Sequence, residues 1–160
     1  MDIKELKMNP FTEIGEDWAL VSAGGREKAN TMTVSWGGVG VLWGKNVVFA
    51  FIRESRYTKE FIDSGETFSL SFLSGEYRNA LALCGSKSGR DIDKWKETGL
   101  TPVIDEGTVY PKEAKSAFLC RKIAAVPVDK ESFIDGSILP QWYAQGDFHT
   151  MYVGEIIKVI

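Results

Sequence analysis

The chain has 160 residues, of which 44% are hydrophobic and 26% are charged, a composition typical of one globular domain. Its formal net charge of −3 lacks the basic excess of nucleic-acid-binding proteins, so no nucleic-acid partner is expected. The sequence shows neither a long apolar run nor a secretory signal, so we expect a cytoplasmic protein that does not act at a membrane.

Strand-like segments dominate the chain. Six are predicted from apolar, β-branched or alternating patterns, at residues 19–23, 30–36, 47–52, 67–73, 117–128 and 151–160. Three short helices are predicted between them, at residues 56–64, 76–83 and 91–98, with Ser55 and Asp91 as N-caps of the first and third. This pattern predicts a mainly β fold, a closed or partly closed barrel, in a single domain of residues 1–160.

The second predicted strand carries more polar side chains than a core strand needs. It reads Asn-Thr-Met-Thr-Val-Ser-Trp from residue 30 to residue 36. Its amide and hydroxyl groups could bind a ligand. An ordinary strand with a polar outer face is the alternative interpretation.

The junction after the third predicted strand combines charge with a helix start. Arg53 and Arg56 provide guanidinium groups, and Ser55 and Thr58 provide hydroxyl groups. The first turn of a helix has free N–H groups and a partial positive charge, so this segment predicts an anion site suited to phosphate. The alternative is a capped helix with two solvated arginines.

A second basic segment, Gly-Ser-Lys-Ser-Gly-Arg-Asp at residues 85–91, lies between two predicted helices. Its small residues let backbone N–H groups face a ligand, while Lys87 and Arg90 add charge. The spacing is not that of a phosphate-binding P-loop, and no GxGxxG pattern occurs in the chain. A flexible connection between helices is the alternative.

The residues that most often carry out side-chain chemistry are scarce. His149 is the single histidine, and Cys84 and Cys120 form neither a CxxC pair nor a disulfide framework. We therefore expect two reduced thiols, no catalytic triad and no metal site. The chemistry is expected to come from a bound cofactor.

Three segments together resemble the flavin reductase-like, FMN-binding split-barrel family, which includes flavoredoxins. Residues 30–36 match the family pattern N-x-M-[TA]-x-[SA]-W, and residues 52–58 match IR-x-x-R-x-T. The tail from Gly146 resembles GDH-x4-G-x-V, with one residue, Phe148, inserted between Asp147 and His149. The resemblance extends from about residue 18 to residue 160.

The resemblance implies a six-stranded Greek-key split barrel that forms a homodimer and binds one FMN per subunit. The implied FMN-binding residues fall on the three basic or polar segments described above. They are Asn30, Thr31, Met32, Thr33, Ser35, Trp36, Arg53, Ser55, Arg56, Tyr57, Thr58, Ser86, Lys87, Ser88, Arg90 and Asp91. His149 is the implied catalytic residue, near the ring edge.

Two functions are consistent with this resemblance. The preferred hypothesis is an NAD(P)H-dependent, flavin reductase-like oxidoreductase. The alternative is a flavoredoxin-like carrier that takes electrons from another redox protein, and a sensory or storage FMN module is a weaker third possibility. The absence of a dinucleotide motif does not decide between them, because a nicotinamide stacked on the flavin of such a barrel needs no such motif.

Overall fold

A computed structural model describes residues 1–160 and consists mainly of one seven-stranded antiparallel sheet. The strands are β1 (Ala19–Gly24), β2 (Ala29–Val34), β3 (Gly37–Leu42), β4 (Lys45–Arg53), β5 (Thr67–Phe72), β6 (Pro102–Asp105), β7 (Thr108–Pro111), β8 (Ser116–Pro127) and β9 (His149–Val159). The order across the sheet is β2-β1-β5-β8-β9-β4-β3, and β6 and β7 form a separate hairpin.

Five short α-helices connect the strands. They are α1 (Pro10–Gly15), α2 (Tyr57–Ser64), α3 (Arg78–Ser86), α4 (Lys94–Thr98) and α5 (Ile138–Trp142). Single 3-10 turns lie at Ile3–Glu5, Gly75–Tyr77 and Lys130–Ser132. None of the helices has the length and apolar character that a membrane crossing requires.

The predicted mainly β fold is confirmed, but the predicted number of six strands is wrong. The glycine-rich segment at residues 37–42, where no strand is predicted, forms β3, which pairs with β4 along its whole length. A glycine is needed at its start, because a Cβ on Gly37 would lie 2.7 Å from the Phe49 carbonyl oxygen. Strands β2 and β3 end the sheet order and are not hydrogen-bonded to each other, so the sheet does not close into a barrel.

Both predicted N-caps differ from the observed ones. Helix α2 begins at Tyr57, with Arg56 rather than Ser55 at its N-cap, because the Ser55 hydroxyl donates to Asp147 instead. Helix α4 begins at Lys94, and its N-cap is Asp93 rather than Asp91. The Asp93 carboxylate accepts from two N–H groups of the first turn, which satisfies donors that the helix itself cannot.

Two apolar clusters hold these elements together. The larger one fills the space enclosed by the main sheet and includes the fully buried Phe68 and Tyr152. The smaller one contains Leu20, Leu81 and Leu100 and packs α3 against β1. Burial of such side chains contributes roughly 1.5–3 kcal/mol each. The smaller cluster therefore fixes the end of α3 beside β2, where the polar segments meet.

Gly154 in β9 is tightly packed against core side chains. A Cβ at this position would lie 2.5 Å from Phe68 Cζ and 2.7 Å from Cys120 Cβ. We expect Gly154→Ala to lower the free energy of unfolding by about 1–3 kcal/mol, the usual cost of overpacking. Denaturant unfolding measures this, with Gly136→Ala, where the new methyl group meets nothing within 4 Å, as the matched control. Equal stabilities of the two variants would contradict the packing account.

Candidate functional site

A cleft of about 300 Å³ opens beside the end of β2, the end of β4 and the start of β9. We call it the aromatic cleft. It is lined by Met32, Thr33, Val34, Ser35, Trp36, Phe51, Arg53, Arg56, Trp142 and His149. Seven of these ten are predicted site residues: Met32, Thr33, Ser35, Trp36, Arg53, Arg56 and His149.

Aromatic rings form the walls of the cleft. Trp36 follows β2 and meets Trp142 of α5 edge to face, with ring centroids 4.9 Å apart. The His149 ring lies 5.4 Å from the same Trp36 ring. Antiparallel pairing places Arg53 of β4 opposite His149 of β9, so the strand register brings the charged and imidazole side chains to one end of the cleft.

His149 is held as a neutral ring. Its Nδ1 lies 2.6 Å from the Tyr143 hydroxyl oxygen. Burial, reinforced by the charge of Arg53, lowers the pKa of His149 to about 4. We assign the Tyr143 hydroxyl as the donor of this bond, which places the proton of the neutral ring on Nε2. Nε2 makes no hydrogen bond within the protein, so it is the group that His149 offers to a ligand in the cleft.

The inserted Phe148 does not enter the cleft. Gly146 and Asp147 adopt left-handed backbone conformations, with φ of 77° and 53°, and this turn directs Phe148 toward other aromatic rings. Phe148 stacks on Tyr143 at 5.1 Å and on Phe133 at 6.4 Å. The insertion therefore supports the tyrosine that holds His149, and leaves the histidine in the cleft.

A smaller pocket of about 170 Å³ adjoins the cleft. We call it the anion pocket. It is lined by Ser55, Arg56, Tyr57, Thr58, Ser86, Lys87, Ser88 and Lys94. Arg56 lines both spaces, and helix α2 begins here with Tyr57 and Thr58, whose N–H groups have no acceptor within the helix.

The donors of the anion pocket are fixed by backbone contacts. Arg56 donates to the carbonyl oxygens of Gly85 at 2.9 Å and Cys84 at 3.1 Å, in the last turn of α3. The buried Thr58 hydroxyl oxygen accepts from Asn30 Nδ2 at 2.9 Å, which leaves the hydroxyl proton free to donate. The structure therefore presents oriented donors with no carboxylate among the lining residues.

Lys94 is a site residue that the sequence reasoning missed. Its side chain is only 2% exposed and donates to the carbonyl oxygens of Thr31 and Cys84, both at 2.9 Å. A lysine at the start of a short helix normally points into solvent. Nothing in the local sequence distinguishes this one, because its burial depends on the packing of α4 against β2 and α3.

Four predicted residues lie outside both spaces. The Thr31 hydroxyl is buried and bonds to Ser22 on the core side of the sheet. Asn30, Arg90 and Asp91 line a third cavity of about 460 Å³ on the other side of the 85–91 segment. Asn30 still acts on the anion pocket through Thr58.

The remaining reactive side chains are not arranged for catalysis by themselves. Cys84 and Cys120 are unpaired and buried, and burial raises the pKa of Cys84 to about 11. No group of three or more His, Cys, Asp or Glu side chains is placed to hold a metal ion. The geometry instead offers an aromatic cleft and a phosphate-sized pocket that share Arg56.

Comparison with known proteins gives a consistent result. The family described as the flavin reductase like domain matches residues 12–160. A flavoredoxin of Desulfovibrio vulgaris (Miyazaki F) is 25% identical, with a TM-score of 0.70 over 89% of this chain and 68% of its own. An FMN-binding protein from Thermus thermophilus, bound to 1-cyclohex-2-enone, is 20% identical, with a TM-score of 0.71 over 89% and 68%.

A third similar structure is the NADH:FAD oxidoreductase of Streptomyces globisporus C-1027. It is 16% identical, with a TM-score of 0.65 over 90% of this chain and 75% of its own. No curated protein matches the chain in sequence. At identities of 16% and 20%, the similarity to the S. globisporus and T. thermophilus structures shows the fold alone.

The protonation state of the His149 ring can be measured by NMR without signal overlap, because His149 is the only histidine. We expect its ring NMR signals to stay unchanged from pH 8 to 5.5, with the proton on Nε2, because its pKa is about 4. Between pH 6.5 and 4 the histidine is protonated more in the unfolded chain than in the folded one. It therefore lowers the free energy of unfolding as the pH falls through that range. Titration of the ring near pH 6.5 would contradict the assignment. Tyr143→Phe should shift the proton between the two ring nitrogens.

Proposed function

The chain belongs to the flavin reductase-like domain family, and from this premise we propose that it is an FMN-binding oxidoreductase that takes electrons from NADH or NADPH. The observation that carries the proposal is the junction of the two spaces at Arg56. A phosphate-sized pocket with oriented donors and an aromatic cleft share Arg56 as a lining residue. FMN has this combination of one phosphate group and one planar ring.

The anion pocket fits the phosphate end. A phosphate group carries about two negative charges and accepts several hydrogen bonds. Arg56 and Lys94 supply charge, and Thr58 supplies a hydroxyl proton together with the free N–H groups at the start of α2. These residues would hold the phosphate, with Ser86 and Ser88 on the opposite wall.

The aromatic cleft fits the ring end. Met32 and Trp36 provide apolar cover, while Thr33 and Ser35 provide hydroxyl groups along the same edge. The Thr33 hydroxyl donates to the Leu81 carbonyl oxygen, so its oxygen can still accept a hydrogen bond. These residues would orient the ring between the tryptophans and β2.

A bound FMN supplies redox chemistry that no side chain of the cleft provides. The contribution of His149 is a fixed Nε2–H donor beside the ring space. It is neutral at pH 7 and therefore positions a substrate by hydrogen bonding instead of delivering a proton. The partly exposed Trp36 and Trp142 leave the cleft accessible, which favours an enzyme that admits a nicotinamide over a carrier with a covered ring.

The homodimer and the cytoplasmic location remain parts of the proposal. Strand β3 is at the edge of the sheet, and Val41 and Trp43 at its end are exposed. An edge strand with exposed apolar side chains is a surface that a second copy would cover.

Arg56 tests the phosphate assignment. We expect Arg56→Ala to weaken FMN binding by roughly 1.5–3 kcal/mol, the range for a hydrogen bond to a charged group, which is about a ten- to hundred-fold rise in Kd. Titration of the apoprotein with FMN, followed by flavin fluorescence, measures this. Arg121→Ala is the matched control, because Arg121 lies outside both spaces and pairs with Glu155 at the surface. Unchanged FMN affinity in the Arg56 variant would show that the phosphate group does not bind in this pocket.

His149 tests the enzyme hypothesis. Without oxygen, NADH or NADPH at about 1 mM should bleach the flavin of the FMN-loaded protein. His149→Ala should slow bleaching about five-fold, since one neutral hydrogen bond of about 1 kcal/mol is lost, with FMN affinity unchanged. His149→Gln keeps an N–H donor and should recover part of the rate.

The electron donor separates the two functions. Bleaching by a reduced iron–sulfur protein, with neither nicotinamide effective, would establish the carrier instead of the enzyme. Bleaching by NADH or NADPH at the same rate in the unaltered protein, His149→Ala and His149→Gln would support the enzyme hypothesis and contradict the proposed role of His149.

A further inference from the structure

Lys94 is a buried cation whose protein partners are all neutral. The side chain is 2% exposed, and its ammonium group contacts only the carbonyl oxygens of Thr31 and Cys84. It forms no ion pair with a carboxylate. Lysine is almost never buried to this degree without a counter-charge, because the loss of hydration is costly.

The ammonium group also has an unused donor. It carries three N–H bonds, and two are directed to the carbonyl oxygens of β2 and α3. Lys94 lines both the anion pocket and the third cavity. One N–H has no partner within the protein and can donate to a ligand at Lys94.

A second cation lies beside it. Arg56 donates to the same Cys84 carbonyl oxygen that accepts from Lys94, so one oxygen atom joins the two positive groups. Burial, with the charge of Arg56 as the next cause, lowers the pKa of Lys94 to about 8. Two adjacent cations in a partly buried pocket repel each other, and an anion between them would relieve that repulsion.

A purely structural role for Lys94 would not require its charge. The neighbouring Trp95 makes such a contact without a charge. Its indole N–H donates to the Ala29 carbonyl oxygen at 3.0 Å and attaches α4 to β2. A neutral amide at position 94 could likewise donate to carbonyl oxygens. The contacts of Lys94 with carbonyl oxygens therefore do not explain why a charged side chain stands at this position.

We propose that Lys94 is the buried counter-charge for the phosphate group of FMN and donates its third hydrogen bond to it. This inference rests on the proposed function, and it identifies the residue that makes the site select a phosphorylated flavin. Riboflavin, which has the same ring and no phosphate, is the matching probe.

The test compares FMN and riboflavin affinities of the apoprotein. Lys94→Met and Lys94→Gln should each raise the Kd for FMN by at least about ten-fold and leave the Kd for riboflavin unchanged. Lys96→Met removes an exposed charge from the same helix and should change neither affinity. Because Lys94→Gln keeps donors for the carbonyl oxygens, full FMN selectivity in that variant would overturn the proposal and leave Lys94 as a structural contact.

The outcomes separate the inference from the proposed function. If the unaltered protein binds FMN no more tightly than riboflavin, the pocket does not recognise phosphate and the proposed function fails. If it prefers FMN and both Lys94 variants keep that preference, only the role of Lys94 fails.

A pH series tests the same point if neither variant folds. The other titratable groups that line or adjoin the anion pocket are Arg56, Tyr57, Lys87, Arg90, Asp147 and the Cys84 thiol, whose pKa is about 11. Glu27, Lys28, Asp91 and Asp93 line the third cavity together with Lys94. In a Lys87→Met background, the preference for FMN over riboflavin should fall as the pH rises from 7 through 9.5, because Lys94, with a pKa of about 8, loses its proton. A constant preference would overturn the proposal.

Discussion

The carbonyl end of α3 is the feature on which the site depends. Its Cys84 and Gly85 oxygens accept from Arg56, and Cys84 also accepts from Lys94. The last carbonyl groups of a helix have no partners within the helix and carry partial negative charge, so they can hold cations without neutralising them. The start of α2, the end of α3 and the start of α4 are therefore fixed around Arg56 and Lys94, whose side chains donate only to backbone carbonyl oxygens.

The site divides into a polar pocket and a cleft with aromatic walls. In the anion pocket, positive groups are held by dipoles and stay available. In the aromatic cleft, aromatic rings form the walls, and burial together with the charge of Arg53 keeps His149 uncharged. Arg56 belongs to both halves, so it fixes the distance between the place for a phosphate and the place for a ring. This division suits a cofactor that brings its own reactivity and needs from the protein only binding and orientation.

The sequence predicted the parts of the site that are local in the chain. The junction of β4 and α2 was recognisable because strand, arginines, hydroxyl groups and helix start follow one another within six residues. Lys94 was not, since its Thr31 contact spans 63 positions and depends on α4 packing against β2. Tyr143 was missed for a similar reason: only the left-handed turn at Gly146 and Asp147 brings its hydroxyl back to His149. Strand β3 was hidden by its glycines, which are typical of turns but here allow close approach to β4.

The central claim is that the anion pocket and the aromatic cleft together hold one FMN. Titration of the apoprotein with FMN, followed by quenching of tryptophan fluorescence, tests this most directly because Trp36 and Trp142 line the cleft. The account predicts saturation at one FMN per chain, and quenching that is reduced when both tryptophans are replaced by phenylalanine. Absence of saturable binding, or saturable binding whose quenching is unaffected by both replacements, would contradict it.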